Sequence, residues 1–184
     1  MDTTELRAWL ELHCMDVFAF MDYEPTLSSD DALAGTMDAW FGTDAWRATG
    51  HRFVDLGTEG SGSLFAAWIR PGAVEPFPVV LLGSEGGRGV LASSPARWAQ
   101  LVAHAPLIDD CHEPASAVVR SDEELDEAFQ RAAGRDPRAS LRAYRDACAA
   151  RFGPLPTRDD LTGGLDALNG ELLAWVAAQI ASPS

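Results

Sequence analysis

Lysine is absent from this 184-residue sequence, and all 14 of its basic residues are arginine. They stand against 28 aspartates and glutamates, which gives a formal net charge of −14. A surface of this sign repels phosphate backbones and attracts basic proteins, and it also serves solubility. We therefore expect no nucleic-acid partner. A basic partner should favour residues 1–50, where ten acidic residues outnumber two arginines.

Cysteines and long apolar runs are also scarce. Cys14, Cys111 and Cys148 are odd in number and widely spaced, which argues against a disulfide framework and favours a reducing compartment. No run approaches the roughly 18 to 20 apolar residues of a membrane-spanning helix. The first residues, Met-Asp-Thr-Thr-Glu, lack the basic region of a secretory signal. The sequence predicts a cytoplasmic protein without a membrane partner.

Apolar residues are plentiful enough for one core. They make up 47% of the chain and include eight phenylalanines and six tryptophans, a composition typical of folded globular proteins. A chain of this length folds without disulfides or a structural metal. We expect one domain over residues 1–184, with a sheet unit over about 1–105 and a helical C-terminal extension over about 121–184.

Four short apolar runs in the middle of the chain predict β-strands, because glycine- or proline-rich breaks separate them. The breaks are too short for helical crossovers, so the simplest topology is an antiparallel meander. The second and third runs are apolar on both faces, which is typical of central strands covered on both sides. The predicted strands span residues 51–56, 64–69, 78–82 and 89–92.

Helical patterns flank these strands, with apolar residues recurring at three- and four-residue steps. Ser94 with Pro95, the run from Ser121 to Glu124, and Asp136 with Pro137 are helix-start signals. The predicted helices cover residues 4–21 and 31–41, start after Ser94 and Ser121, and cover residues 137–152 and 165–180. Together the patterns predict an α+β fold. A twisted, mainly antiparallel sheet of about four or more strands is flanked by N-terminal and C-terminal helices.

The glycine-rich segments do not complete a catalytic or phosphate-binding motif. The segment around Ser84 lacks the first glycine of a G-x-S-x-G elbow. The elbow joins a strand to a helix, whereas the turn at Ser84 should join two strands, so we do not predict a catalytic serine. Residues 57–62 and 83–89 fit neither dinucleotide-binding nor P-loop motifs. Hairpin turns that need positive φ explain these glycines better. The predicted structural turn positions are Gly57, Gly60, Gly62, Gly83 and Gly86.

The densest polar cluster covers residues 109–113, but no second cysteine or histidine stands at metal-ligand spacing. A polar surface loop explains it, and we predict no metal or other cofactor. Asp55, Glu59 and Glu85 stand at strand ends or hairpin loops, where antiparallel pairing could bring them together. Glu59 and Glu85 could equally cap turns. No histidine or arginine is in register with them, so we do not predict an enzyme.

The order of motifs between residues 50 and 103 is distinctive. Residues 53–63 read FVDLGTEGSGS and residues 66–68 read AAW. Residues 78–86 then read PVVLLGSEG, residues 89–92 read GVLA, and a helix follows around Trp98. This order resembles the SMI1/KNR4-type, or SUKH, superfamily of bacterial immunity-like proteins. In that family a D-G-S-G hairpin precedes a strand, and a pVV-x-x-x-s-E-G strand and a strand-to-helix step follow.

The resemblance implies helices packed on a twisted antiparallel sheet. It also implies a non-catalytic role in which the protein binds and neutralises another bacterium's toxin by occlusion. Glu59 and Glu85 match loop positions that could contact such a partner. With the other acidic candidates, the predicted partner-binding residues are Asp55, Glu59, Glu85, Asp109 and Asp110. Two alternatives stay open: a small-ligand-binding protein or enzyme with a pocket between sheet and helices, and a regulatory interaction domain of a larger complex.

Overall fold

The structure is a computed structural model that describes residues 3–13, 16–17, 20–21, 23–25, 30–131 and 136–180. Its centre is a five-stranded sheet in which every neighbouring pair is antiparallel. The strands follow one another in chain order: β1 (Tyr23–Glu24), β2 (Arg52–Glu59), β3 (Leu64–Ile69), β4 (Val79–Leu82) and β5 (Arg88–Ala92). A separate antiparallel pair consists of β6 (Leu107–Asp109) and β7 (Ser116–Val118).

Helices lie before β1, between β1 and β2, and after β5. They are α1 (Thr3–Leu12), α2 (Asp30–Phe41), a 3₁₀ helix (Ala45–Thr49), α3 (Pro95–Val102), α4 (Asp122–Arg131), α5 (Pro137–Phe152), α6 (Arg158–Thr162) and α7 (Asp166–Ile180). The predicted α+β fold with flanking helices is confirmed. None of the described helices has the length and apolar content needed to cross a membrane.

The predicted helix starts rest on the expected hydrogen bonds. The Arg97 amide donates to Ser94 Oγ at 3.2 Å, and Pro95 takes the first helical position of α3. At α4 the Glu124 amide donates to Ser121 Oγ at 3.2 Å, while the Ser121 amide donates to Glu124 Oε2 at 2.7 Å. This reciprocal pair is a capping box, and it satisfies amides that have no partner within the helix.

The predicted meander matches β2 to β5, with one extension and several omissions. Strand β2 continues to Glu59 because a register shift between Asp55 and Gly57 carries it through a β-bulge. Strand β1, the β6–β7 pair, the 3₁₀ helix and α6 were not predicted, because elements of two to five residues are too short for a periodic pattern. Of the helix predicted over 4–21, α1 is described as far as Leu12, and residues 14, 15, 18 and 19 lie outside the described set.

The sheet separates two apolar cores, because successive residues of a strand point to opposite faces. On one face Phe65 and Leu81 pack with residues of α1, α3 and α5. On the other face Trp68 and Val80 pack with residues of α2 and α7. Strand β4 is buried at all of its positions and β3 at all but Ile69. The prediction that these two strands are covered on both sides is therefore confirmed.

The C-terminal helices pack on this sheet unit. Helix α5 contacts α3, where the Tyr144 hydroxyl donates to the Ala99 carbonyl at 3.2 Å. Helix α7 contacts β5, where the Val90 amide donates to Asn169 Oδ1 at 2.6 Å. Burial raises the pKa of the Tyr144 hydroxyl well above its usual range and that of the Cys148 thiol to about 12. Both side chains therefore stay neutral and serve the packing.

Candidate functional site

Three turns meet at one end of the five-stranded sheet. The β2–β3 turn and the β4–β5 turn lie at the same end because the strands form a meander. The Ser84 amide of the second turn donates to Ser63 Oγ of the first at 3.0 Å. Ser63 Oγ in turn donates to Asp110 Oδ2 of the β6–β7 turn at 2.8 Å. We call this surface, with Glu59, Glu85, Asp109 and Asp110, the acidic end.

Ser63 is the centre of this arrangement. It is fully buried, and its hydroxyl bonds to both of the other turns. Ser61 Oγ lies 3.0 Å from Ser63 Oγ and donates to Glu59 Oε1 at 2.5 Å. Each serine hydroxyl has one proton, and both protons go to carboxylates, so the contact between Ser61 and Ser63 is not a third hydrogen bond. The two serines lie side by side between Glu59 and Asp110, and the two bonds of the buried Ser63 hold the three turns together.

Close backbone contact adds to this rigidity. A Cβ atom built on Gly87 would lie 1.8 Å from the Asp110 carbonyl oxygen. A Cβ on Gly83 would lie 2.7 Å from the Gly87 carbonyl oxygen and 2.9 Å from Asp110 Cβ. Only a residue without a side chain allows the third turn to rest directly on the second.

The acidic end contains four of the five predicted partner-binding residues. Glu85 is exposed, and Glu59, Asp109 and Asp110 are half-buried. Asp55 is not among them, since it is 2% exposed and its Oδ1 accepts the Gly57 amide at 2.8 Å inside the bulge. Burial removes Asp55 from any surface that a partner could reach. The structure gives it a role in shaping β2.

The five predicted turn glycines lie in or beside the hairpins of this end. Gly57 sits at the bulge with φ of 128°, and its Cβ would lie 2.5 Å from the Glu24 carbonyl oxygen. Gly62 and Gly86 also have positive φ. Gly60 lies in the β2–β3 turn, and Gly83 serves the close contact described above.

Local charges at the acidic end are predominantly negative. The hydrogen bond with His112 Nδ1, at 2.9 Å from Asp109 Oδ2, lowers the pKa of the Asp109 carboxyl and raises that of the exposed histidine. Desolvation, followed by the charge of Asp110, raises the pKa of the Cys111 thiol. The field therefore disfavours a thiolate at Cys111. Arg88 is paired with Glu113, which offsets its positive charge.

Ser84 lies in a strand-to-strand turn, as predicted, and its Oγ is 3.5 Å from that of Ser63. Within the part of the chain that the structure describes, no group of three or more His, Cys, Asp or Glu side chains is placed to hold a metal ion. Of three open clefts of about 200 to 280 Å³, one is lined in part by residues 114–117 of the β6–β7 pair, and Asp55, Glu85 and His112 line none of the three.

Two residues of the surface escaped the sequence analysis. Leu107 and Val118 face each other across β6 and β7, and their exposed fractions are 51% and 38%. Asp109 and Ser116 are the next pair on the same face, because every second side chain of a strand points to the same side. The sequence carries no signal for this, since three-residue strands show no alternation.

Neither family models, nor curated proteins, nor solved structures give a match to this chain.

Proposed function

We propose that this chain is a non-catalytic protein-binding module that engages a basic protein through its acidic end. One observation carries the proposal: the serine-linked convergence of three turns gathers Glu59, Glu85, Asp109 and Asp110 on one surface. Carboxylates grouped in this way steer a positively charged partner and speed its encounter. The chain's net charge of −14 acts in the same direction.

The rigidity of the acidic end also favours binding. Association loses free energy when loops must become ordered, and a surface already fixed avoids that loss. Here a buried Ser63 and the glycine contacts hold the turns in place before a partner arrives. Such a surface would block a partner by occupying its face, with no change of shape required.

Exposed apolar side chains stand beside the carboxylates. Leu107 and Val118 share the outer face of the β6–β7 pair with Asp109. Protein interfaces combine an apolar centre with a polar rim, and a few central side chains supply most of the affinity. We place Leu107 and Val118 at that centre and the carboxylates at its rim.

The sequence resemblance makes the proposal more specific. Glu59 and Glu85, which match loop positions of the SUKH superfamily, both belong to the acidic end. The α+β fold that the resemblance implies supports the same interpretation. We therefore propose an immunity-like protein that neutralises a basic toxin by occlusion. The cytoplasm, a reducing compartment, is its proposed location.

Affinity capture from a lysate of the protein's own cells tests the proposal. The bait is the wild-type chain, a site variant (Glu59→Gln, Glu85→Gln and Asp109→Asn), or a control. The control removes the same three charges at exposed positions elsewhere, with Glu11→Gln, Glu123→Gln and Asp146→Asn.

We expect wild type and control to retain one basic protein at low salt and to release it as salt rises, since salt screens surface charges. The site variant should retain little of it. A column that stays empty at low salt contradicts the proposed function, and equal retention by all three baits contradicts the proposed surface.

A further inference from the structure

The cleft between α4 and α5 differs in charge from the rest of this acidic molecule. Its volume is about 280 Å³, and three arginines of α5 line it. Arg138, Arg142 and Arg145 follow one another at four- and three-residue steps, which places them on one face of the helix. Residues 120–158 are also the stretch in which arginines outnumber acids, by eight to seven.

The three guanidinium groups are held differently. Arg138 donates from Nη2 and Nε to Asp126 Oδ1 at 2.6 and 3.1 Å, so its charge is already matched. Arg145 Nε donates to the Ala103 carbonyl at 2.8 Å, which fixes the group in position without neutralising it. Arg142 is exposed, and within the described chain it makes no side-chain hydrogen bond or ion pair. Two positive charges therefore stay available at the cleft.

The floor of the cleft is apolar. It consists of Leu125, Phe129 and Leu141, each of them mostly buried. The volume lies close to the lower end of small-molecule pockets, about 300 Å³. The space suits one small apolar group, and the arginines stand at its edge.

The charges on the α4 side restrict the type of anion. Asp122 and Asp126 line that wall. Asp126 is paired with Arg138, so the charge of Asp122 is the one that repels a second negative charge on a ligand. A guanidinium group pairs with a carboxylate, which carries a single charge, through two parallel hydrogen bonds. We infer that the α4–α5 cleft binds an organic monoanion in which one carboxylate is attached to a small apolar group. Arg142 and Arg145 would hold the carboxylate, and Leu125, Phe129 and Leu141 would cover the apolar part.

A titration followed by amide chemical shifts tests this inference on the full chain. The main probe is 3-phenylpropionate, and its neutral amide and inorganic phosphate are compared with it. We expect saturable shifts within residues 122–129 and 138–145, and affinity for the acid at least about tenfold above that for the amide or phosphate. Shifts that do not saturate, or equal affinity for acid and amide, would overturn the inference.

Variants separate this site from general charge effects. Arg142→Gln should weaken 3-phenylpropionate binding about tenfold, the usual scale for one charge-assisted contact. Arg142→Lys should fall between it and wild type. Arg151→Gln removes the same charge from an exposed position further along α5 and should leave the affinity unchanged. Equal affinity of Arg142→Gln and wild type, with native amide spectra for both, would disprove the role of Arg142.

A short peptide ending in phenylalanine identifies the source of the carboxylate. If the peptide with a free C-terminus binds more tightly than 3-phenylpropionate, the ligand is a chain terminus. If only the free acid binds, the ligand is a small metabolite. Both results support the carboxylate site, and neither depends on whether the acidic end binds a protein.

Discussion

Replacing Ser63 with alanine removes one hydroxyl from the point where the three turns of the acidic end meet. Two hydrogen bonds are lost: the donation to Asp110 Oδ2 at 2.8 Å and the acceptance from the Ser84 amide at 3.0 Å. A bond to a charged group contributes about 1.5–3 kcal/mol and a neutral one about 0.5–1.5 kcal/mol. Asp110 is half-exposed and can recruit water, so we expect a loss of about 2–3 kcal/mol in unfolding free energy.

Urea unfolding followed by tryptophan fluorescence measures this loss. The loss is a large fraction of the total, because a domain of this kind has only about 5–15 kcal/mol of unfolding free energy. Ser116→Ala is the matched control, because Ser116 is an exposed serine on β7. It should change the unfolding free energy by less than about 0.5 kcal/mol. If Ser63→Ala also changes it by less than about 0.5 kcal/mol, then Ser63 does not hold the turns together, and the claim of a preorganised surface fails.

Three further substitutions test other parts of the structure. Gly87→Ala should displace the β6–β7 turn, because its Cβ would meet the Asp110 carbonyl oxygen; large amide shifts at residues 109–115 would confirm this, and an unchanged spectrum would contradict it. Tyr23→Phe removes a buried donor to the Leu56 carbonyl and should cost about 1–3 kcal/mol in urea unfolding, whereas no loss would disprove the role of the hydroxyl. Burial lowers the pKa of His51, whose Nδ1 accepts the Trp68 indole at 2.9 Å. The contribution of neutral His51 to the unfolding free energy is therefore complete above its ordinary pKa of 6.5. This contribution is lost as pH falls through the lower pKa that His51 has in the folded protein. His51→Gln should flatten the stability profile between about pH 7 and 5, and an identical slope in both proteins would refute this assignment.

The sheet and the helix starts could be predicted because their signals are local. Strand β3 was predicted with its observed bounds, since a run of six apolar residues lies between two glycine- or proline-rich breaks. The pairs Ser94–Pro95 and Ser121–Glu124 carry their own hydrogen-bonding chemistry, which depends on no distant residue. These predictions needed only neighbours in the chain.

The acidic end could be predicted only in part, because its assembly depends on contacts between distant residues. Glu59 and Glu85 were placed in hairpin loops, but Ser63 and Asp110 are 47 positions apart and no local pattern links them. The position of Asp55 was predicted wrongly, because an aspartate two residues before a glycine suits a surface turn as well as a bulge. The burial of β2 decides between the two, and burial is a property of the whole fold.

Helix α7 illustrates the same limit. Its apolar residues at three- and four-residue steps predicted the helix. Leu172 and Val176 of that series are buried, whereas Ile180 at the end of the helix is 51% exposed. The sequence did not indicate which layer the helix covers. That choice depends on the apolar face of the sheet around Trp68 and on Asn169, whose side chain contacts β5.

The contact between Asn169 and Val90 also covers part of the outer edge of the sheet at β5. An outer strand with free amides and carbonyls is a template on which another chain can add a strand. On β5 the Val90 amide donates to Asn169 Oδ1, and the Arg88 carbonyl accepts from the Ala115 amide. Both of these edge groups are therefore unavailable to another strand. Detachment of α7 would free the amide at Val90 as well as exposing apolar surface. A partly unfolded form with α7 released would therefore offer this part of the β5 edge to a strand of another chain.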